Sequence, residues 1–381
     1  MGKIGSKREQ KMYKKELKEI KAMEKASNKL PTQAMLKRRQ DKYWNLIPLG
    51  VCIGKKGKKQ MLGWYLNDQN FNDDAYESVP STSLLISGVT GSGTSIVKKA
   101  IISHINDYPG KFQLIGSDIK RIEFLCDADK FNSLLLDVRS TAGAVALLQN
   151  MMMERFKLME KYKVNNVYKL ENIHAEVPYY EIRYTNKLYQ FDKIFTIDVD
   201  LDETDPHYAK LKLWYPTGKQ PKTITIEQIY NALQDGTLNE AVVDGNIITK
   251  DNITRTTGMF KANAIVFMAD ELAELMTSED YKSVDTIKTA LGSIARLGRA
   301  AGVHLVLCCQ RASGSVISTD LKNNIQMSIL LGGFDDGAST LIFEQDLSRY
   351  CKPQIKGRGF VQTGNNILET QIFEGKESLF I

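Results

Sequence analysis

The chain has 381 residues, of which 43% are hydrophobic and 25% are charged, and its formal net charge is +6. This length can bury one large core or two medium ones. The five cysteines are odd in number and include no C-x-x-C pair, which favours a reduced, cytoplasmic compartment. The four histidines lack a second ligand at metal spacing, so no structural metal is expected. No apolar run reaches the ~18 residues of a membrane span, and the N-terminus lacks a signal-peptide core, so no membrane insertion is expected.

The N-terminal segment is strongly basic, since residues 1–44 hold fourteen Lys/Arg against five Asp/Glu. Apolar residues between Met12 and Leu30 recur at helical spacing and Pro31 ends the run, which predicts a basic helical arm over residues 1–45. Two interpretations stay open. The arm is either a solvated basic tail, or a segment that becomes ordered on contact with nucleic acid or an acidic partner.

After the arm, apolar residues 47–53 and 61–66 flank a turn rich in glycine and lysine, which predicts a hairpin. Apolar runs then alternate with helical spacing, and alternation of this kind is typical of a doubly wound, mostly parallel α/β sheet. Strands are expected at 84–88, 112–117 and 134–136, and helices at 96–105 and 141–162.

Residues 171–260 change character and predict a small β-rich insertion between two parts of one α/β domain, 46–170 and 261–381. Residues 195–201 alternate between apolar and polar, residues 211–215 suggest a further strand, and Thr225 and Gly236 bound a short helix. The acids Asp198, Asp200 and Asp202 favour a solvated strand face over a calcium loop, because apolar residues separate them and the loop glycine is missing.

The alternation resumes with an apolar run at 264–269 that ends in Asp270-Glu271, followed by helical spacing through Arg299. A strand at 303–309 ends in Gln310-Arg311, and another strand is expected at 327–331. Residues 357–361 predict a turn leading into an edge strand.

Residues 84–95, LLISGVTGSGTS, resemble a phosphate-binding loop between a buried strand and a helix, the context that the motif G-x-x-x-x-G-K-[ST] requires. Glycines allow the backbone N–H groups to point at phosphate oxygens, and the helix N-terminus favours negative charge. The predicted nucleotide-binding residues are Gly88, Thr90, Gly91, Ser92, Gly93, Thr94, Ser95 and Ile96.

Position 94, where the motif has lysine, is threonine. Its short neutral side chain cannot reach the β- and γ-phosphates, so ATP hydrolysis is expected to be impaired. Lys98 lies one helical turn further on and begins about 6 Å deeper along the axis, which makes it a weaker substitute. Two origins of Thr94 stay open, a deliberate change from lysine and a naturally degenerate site.

The acids after the strand at 264–269 complete a predicted ATPase site. Asp270 and the Ser95 hydroxyl are expected to hold Mg²⁺, while Glu271 polarises the attacking water. Gln310, at the end of the next strand, is placed to sense the γ-phosphate or to orient that water.

Several segments, in chain order, resemble the motor domain of the FtsK/SpoIIIE-type DNA translocases, within the wider FtsK–HerA superfamily of ring ATPases. The matching segments are residues 84–95, 118–124 (DIKRIEF), 153–159 (MERFKLM), 265–276, 294–307 (IARLGRAAGVHLVL), 310–311, 316–325 and 357–360. The block 294–307 leading to Gln310-Arg311 is specific to that family. The resemblance implies a RecA-like P-loop NTPase fold.

The resemblance also implies a hexameric ring threaded by double-stranded DNA, with ATP at the subunit interfaces. Asp270, Glu271 and Gln310 then take the metal, water and sensor roles. Arg296 and Arg299 are candidates for an arginine finger that acts on the neighbouring subunit. Lys322, on a pore loop, and Arg311 are the candidates for contact with DNA.

Two functions from different classes follow. The first is ATP-driven translocation of double-stranded DNA, of the conjugative-transfer or viral-packaging type. A portal, relaxase or other protein would then dock on the insertion. The expected location is the cytoplasm, or the host cytoplasm for a phage protein. The second is a nucleotide-dependent DNA clamp or assembly factor that does not hydrolyse ATP. A packaging enzyme with its own nuclease would need the acids at 198–205 as a metal cluster and is disfavoured.

Overall fold

The computed structural model describes residues 44–53, 59–66, 76–77, 80–108, 110–184, 187–192, 196–198, 223–243 and 246–372. Three predicted features lie outside the described residues. They are the basic arm except for its last residues, the strand at 211–215, and most of the acids at 198–205. No described helix is both long and apolar enough to cross a membrane.

The strands are, in chain order, β1 (Leu46–Ile53), β2 (Lys59–Tyr65), β3 (Tyr76–Glu77), β4 (Ser83–Gly88), β5 (Phe112–Ser117), β6 (Ser133–Leu135), β7 (Glu176–Tyr184), β8 (Lys187–Asp192), β9 (Thr196–Asp198), β10 (Thr223–Thr225), β11 (Glu240–Val243), β12 (Asn246–Thr249), β13 (Ile253–Met259), β14 (Ala264–Ala269), β15 (Val303–Cys309), β16 (Met327–Leu331), β17 (Arg358–Thr363) and β18 (Asn366–Ile372). The helices are α1 (Thr94–Asp107), α2 (Val138–Lys161), α3 (Tyr168–Asn172), α4 (Ile226–Asp235), α5 (Leu272–Met276), α6 (Tyr281–Ala301), α7 (Thr319–Asn324) and α8 (Asp336–Phe343), with 3₁₀ turns at Leu125–Lys130 and Ser348–Tyr350.

Among the described residues, eleven strands form one sheet in the order β3-β2-β1-β18-β17-β16-β4-β15-β14-β5-β6. The strands from β16 to β6 run parallel, whereas β1, β2, β17 and β18 join their neighbours in antiparallel pairs, apart from the short parallel pair of β2 and β3. The predicted α/β class with a mostly parallel sheet is confirmed.

Helices cover both faces of the parallel part of the sheet. Because successive strand residues point to opposite faces, Leu84 and Ile86 of β4 pack with α1, while Leu85 packs with α2 and α6. α2 begins at Val138, three residues earlier than predicted, because Asp137 accepts a hydrogen bond from the Ser140 amide at 2.8 Å and caps the helix.

One strand prediction is wrong. β17 is not at an edge, since Phe360 pairs with Leu330 of β16 on one side and with Glu369 of β18 on the other. The reason is the tight hairpin that returns the chain at Gly364 (φ 56°) as β18, which was not predicted. β18 then pairs with β1 and so joins the N-terminal hairpin to the parallel strands.

The strands between α3 and β14 form separate small sheets: β13-β7-β8, β9-β10 and β11-β12. The helix predicted between Thr225 and Gly236 is α4, and of the strand predicted at 195–201 the described part is β9. Val177 and Phe260 pack into the core of the main sheet. The limits of this insertion as a domain stay a prediction.

Candidate functional site

The predicted phosphate loop, residues 88–95 and here called the glycine loop, connects the buried strand β4 to α1. Gly91 (φ 85°) and Gly93 (φ 111°) have left-handed backbone angles that favour glycine. Helix α1 begins at Thr94, so the free N–H groups of its first turn lie at the loop.

Glycines from three segments pack against Ser92 and hold the glycine loop. A Cβ atom at Gly88 would lie 2.5 Å from Ser92 Oγ, and one at Gly332 would lie 2.6 Å from Ser92 Cβ. The Gly357 amide donates a hydrogen bond to the Ser92 carbonyl at 2.8 Å. The packing of Gly332 and Gly357 against Ser92 was not predicted; a glycine directly after a parallel strand, such as Gly332 after β16, was the available signal.

Asp270 follows β14, whose neighbours β5 and β15 also end at this edge of the sheet. The Lys98 ammonium contacts Asp270 Oδ1 and lies 3.4 Å from Glu123 Oε1, although Lys98 is only 5% exposed. Burial acts to lower the pKa of Lys98, but Cys308, Asp270 and Glu123 act in the opposite direction and leave it raised. Lys98 is therefore a charged partner of Asp270 and lies beneath the predicted site.

Glu271 is buried beside Asp270 and is the N-cap residue of α5. Its carboxylate accepts hydrogen bonds from the backbone amides of Gln310 (3.2 Å) and Ala273 (3.4 Å), and Lys120 Nζ lies 3.7 Å from Oε2. Burial raises the pKa of Glu271, and Lys120 and the two amides oppose the rise. The two amides fix a carboxylate that faces a cavity.

That cavity, here called the site cleft, has a volume of about 500 Å³. Its lining includes Thr90 of the glycine loop together with Lys120, Glu271, Gln310 and Arg311. No role for Lys120 was predicted. Its place three residues after the end of β5, at the same edge of the sheet as Asp270 and Gln310, was the signal that could have identified it.

Lys120 belongs to residues 118–124, here called the lysine loop. Asp118 is fully buried, and its Oδ2 accepts a hydrogen bond from the Phe124 amide at 2.9 Å, which folds the loop back on itself. Arg121 within it has φ 57°. The lysine loop thus directs Lys120 toward the site cleft and Glu123 toward Lys98.

The donors expected for Mg²⁺ are the Ser95 hydroxyl, in the first turn of α1, and the Asp270 carboxylate. Mg²⁺ takes oxygen ligands and is commonly held by one or two protein groups together with phosphates and water. Among the described residues no group of three His, Cys, Asp or Glu side chains forms a separate metal site. The donor set fits a metal ion that arrives with phosphates.

Arg296 and Arg299 lie in the last turns of α6, just before β15 begins, whereas Gln310 follows the end of β15. Seven residues of strand at ~3.3 Å each separate the two ends by roughly 23 Å. Arg299 donates to the carbonyl of Pro80 at 3.5 Å, and Arg296 is exposed. Neither arginine is near the site of its own chain.

The two residues predicted to contact DNA lie in different places. Arg311 is exposed at the site cleft. Lys322 lies on α7, and its ammonium is 3.0 Å from Glu344 Oε1. A DNA contact by Lys322 would therefore compete with this ion pair.

A parallel sheet with a glycine loop and an Asp-Glu pair at its carboxyl edge defines the fold of the P-loop NTPases. Residues 68–314 match the FtsK/SpoIIIE family, and the chain belongs to that family. The earlier resemblance is thereby confirmed.

Relatives align over parts of the chain. It is 29% identical over 126 residues to the DNA translocase FtsK of Staphylococcus aureus (strain Mu50 / ATCC 700699), covering 33% of this chain and 15% of that protein. It is 34% identical over 102 residues to the ESX secretion system protein YukB of Bacillus subtilis (strain 168), covering 27% of this chain and 6% of that protein. The chain thus spans a small part of the curated relatives it matches.

Among solved structures, the pCW3 conjugation coupling protein TcpA, in its monomer form with ATPgS, superposes with a TM-score of 0.54. Sequence identity is 19%, and the match covers 92% of this chain and 72% of that chain. This similarity shows the common fold.

Proposed function

We propose that this chain is the subunit of an ATP-driven motor that moves double-stranded DNA, with ATP hydrolysis impaired in this chain by Thr94 at the lysine position of the glycine loop. The observation that carries the proposal is the arrangement of the glycine loop, Asp270 and Glu271 at one edge of the sheet in a chain of the FtsK/SpoIIIE family. The FtsK proteins among its relatives are named DNA translocases, and TcpA is named a conjugation coupling protein. Conjugative transfer and viral packaging are the two types of transport proposed.

In this mechanism the backbone amides of residues 91–95 and the N-terminus of α1 bind the phosphates of ATP. Ser95 and Asp270 would hold Mg²⁺, which would neutralise phosphate charge. Glu271 orients a water in the site cleft and accepts its proton, because its carboxylate is fixed by the Gln310 and Ala273 amides. Gln310, at the end of the neighbouring strand β15, contacts this water or the terminal phosphate.

The active form is a ring, proposed to have six subunits. Arg296 is the better candidate for the arginine finger because it is exposed and distant from its own site, so it can reach only a neighbour's nucleotide. An interface that joins the amino edge of one sheet to the carboxyl edge of the next is heterologous, and such interfaces close into rings when the rotation allows.

We propose that basic side chains bind the phosphates of the DNA backbone, and that the protein does not read the DNA bases. The basic N-terminal arm supplies a net +9 over residues 1–44, and the further candidates are Lys322, proposed to lie at the pore of the ring, and Arg311. The insertion at 171–260 is proposed to dock a portal, relaxase or other partner.

A second candidate function is a nucleotide-dependent DNA clamp that does not hydrolyse ATP. The observation that favours it is the neutral side chain at position 94 while the nearest lysine on the helix, Lys98, is held by Asp270 and Glu123. The backbone of the glycine loop would still bind nucleotide in such a protein.

An assay that measures displacement of a third DNA strand from a DNA duplex distinguishes the motor from the clamp. The Thr94→Lys chain should displace the strand with ATP and Mg²⁺, and Thr94→Lys combined with Glu271→Gln should not. Nucleotide-dependent DNA binding without displacement by either form would favour the clamp. Failure of every form to bind DNA would contradict both functions.

A further inference from the structure

Position 94 offers no cation to a bound triphosphate, and Lys98 is the nearest lysine on the same helix that could replace it. Lys98 is 5% exposed, and two carboxylates from other segments, Asp270 and Glu123, already lie against its ammonium. Its removal from Asp270 would leave a buried carboxylate unpaired, which is costly. Lys98 therefore stays beneath the site.

Lys120 differs from Lys98 in exposure and in the strength of its partners. Its side chain is 32% exposed, and Nζ lies 3.4 Å from Glu274 Oε1 and 3.7 Å from Glu271 Oε2. The pair with Glu274 is partly exposed and contributes about 0–1 kcal/mol, so a stronger anion can replace it. Glu271 is buried, but the hydrogen bonds from the Gln310 and Ala273 amides still satisfy its carboxylate when Lys120 leaves. Lys120 is held loosely.

Lys120 also lies where the terminal phosphate of a bound nucleotide is expected. It shares the lining of the site cleft with Thr90, the third residue of the glycine loop, and with Glu271 and Gln310. A phosphate held by the glycine loop and pointing at Glu271 would enter this cavity. The buried bond from Phe124 to Asp118 fixes the backbone that carries Lys120.

We propose that Lys120 binds the terminal phosphate of a nucleoside triphosphate, leaves Glu271 and Glu274 to do so, and makes this site prefer triphosphate over diphosphate. The inference rests on the proposed function, in which the glycine loop binds ATP. Lys120, which lies outside α1, then makes the charged contact with phosphate that Thr94 cannot make. It also makes the release of Glu271 depend on the presence of the third phosphate.

The test is the affinity of the full chain for ATPγS and for ADP, each with Mg²⁺, measured by calorimetry. Lys120→Met should weaken ATPγS binding about tenfold or more, as expected for loss of a charge-assisted hydrogen bond, and leave ADP binding within about twofold. Lys120→Arg, which keeps the charge, should retain most of the preference.

Lys111→Met is the matched control. Lys111 lies just before the other end of the same strand, β5, with Nζ 3.7 Å from Glu171 and its side chain 42% exposed. Its replacement should change neither affinity. Glu274→Gln, which removes one competitor for Lys120, should strengthen ATPγS binding by about two- to threefold, and only in chains that keep Lys120.

The outcomes separate this inference from the proposed function. A wild-type chain that binds neither nucleotide overturns both. A wild-type chain that binds nucleotide, with Lys120→Met changing ATPγS and ADP affinity equally or not at all, overturns the role of Lys120 and leaves the proposed function standing.

Discussion

The Lys98 ammonium lies against the Asp270 carboxylate, one helical turn below the position where the loop motif has its lysine. Both side chains are largely buried, and Glu123 lies on the other side of the ammonium. The pair joins α1 to the end of β14 and fixes the carboxylate expected to hold Mg²⁺. Lys98 therefore supports the site from below.

Lys98→Met should lower the free energy of unfolding by about 3 kcal/mol, because removing one partner of a buried ion pair leaves the other charge buried and unpaired. Denaturant unfolding measures the change. Lys98→Met combined with Asp270→Asn should recover part of the loss. A single variant as stable as the wild type would contradict the role of this pair.

Gly332→Ala should abolish nucleotide binding as well as lower stability, because the new Cβ would lie 2.6 Å from Ser92 Cβ and would displace the glycine loop. Gly110→Ala is the matched control, since Gly110 also has a positive φ (83° against 75°) but nothing within 4 Å of a Cβ. Both variants should lose about 1–3 kcal/mol to backbone strain. Equal ATPγS affinity in the two would show that Gly332 does not support the loop.

Stability should depend on pH through His304. Burial lowers the pKa of His304 to about 3, although the backbone of Ser81 and Thr82 opposes the shift, whereas the unfolded chain has a value near 6.5. The depressed folded pKa means that the unfolded state binds more protons between these values, so stability falls as pH drops below about 6.5. The contribution lost at pH 5 is about 2 kcal/mol.

Denaturant unfolding of the wild type and His304→Phe at pH 7.5 and pH 5 checks this. The two proteins share their carboxylates, so the difference between them isolates His304. The difference should shift by about 2 kcal/mol in favour of the variant at pH 5. An unchanged difference would show that His304 is not buried as a neutral ring.

Arg296→Ala in the Thr94→Lys chain should reduce ATP turnover by about 10³-fold, the effect of losing an arginine finger, without lowering the melting temperature. Arg349→Ala is the control, because Arg349 is exposed and lies 3.5 Å from Asp346 of its own chain. Mixing Arg296→Ala subunits with Glu271→Gln subunits should restore some turnover, since some interfaces then hold both residues. No restoration would contradict action between subunits.

The central strands β14 and β15 could be predicted from the sequence to the residue, because both are buried on both faces, are apolar apart from His304, and are followed by the polar pairs Asp270-Glu271 and Gln310-Arg311. β18 could not, since its residues are only partly buried and its partners, β1 and β17, lie far apart in sequence or across a tight turn.

The candidate site divides in the same way. The glycine loop, Asp270, Glu271 and Gln310 are local patterns at strand ends, so their position at this edge of the sheet could be predicted from the sequence. The position of Lys120 at the site cleft could not be predicted, because its direction depends on the hydrogen bond between Asp118 and Phe124. The packing of Gly332 and Gly357 could not be predicted either, because these glycines contact Ser92 only in the folded chain.

The most direct test of the motor hypothesis is ATP turnover of the chain and of Thr94→Lys, each with and without double-stranded DNA. The chain with Thr94 should turn over very slowly under both conditions, and Thr94→Lys should gain turnover that DNA stimulates and that Glu271→Gln abolishes. Rapid turnover by the chain with Thr94, lost in Lys98→Ala, would contradict the account and would make Lys98 the phosphate-binding lysine.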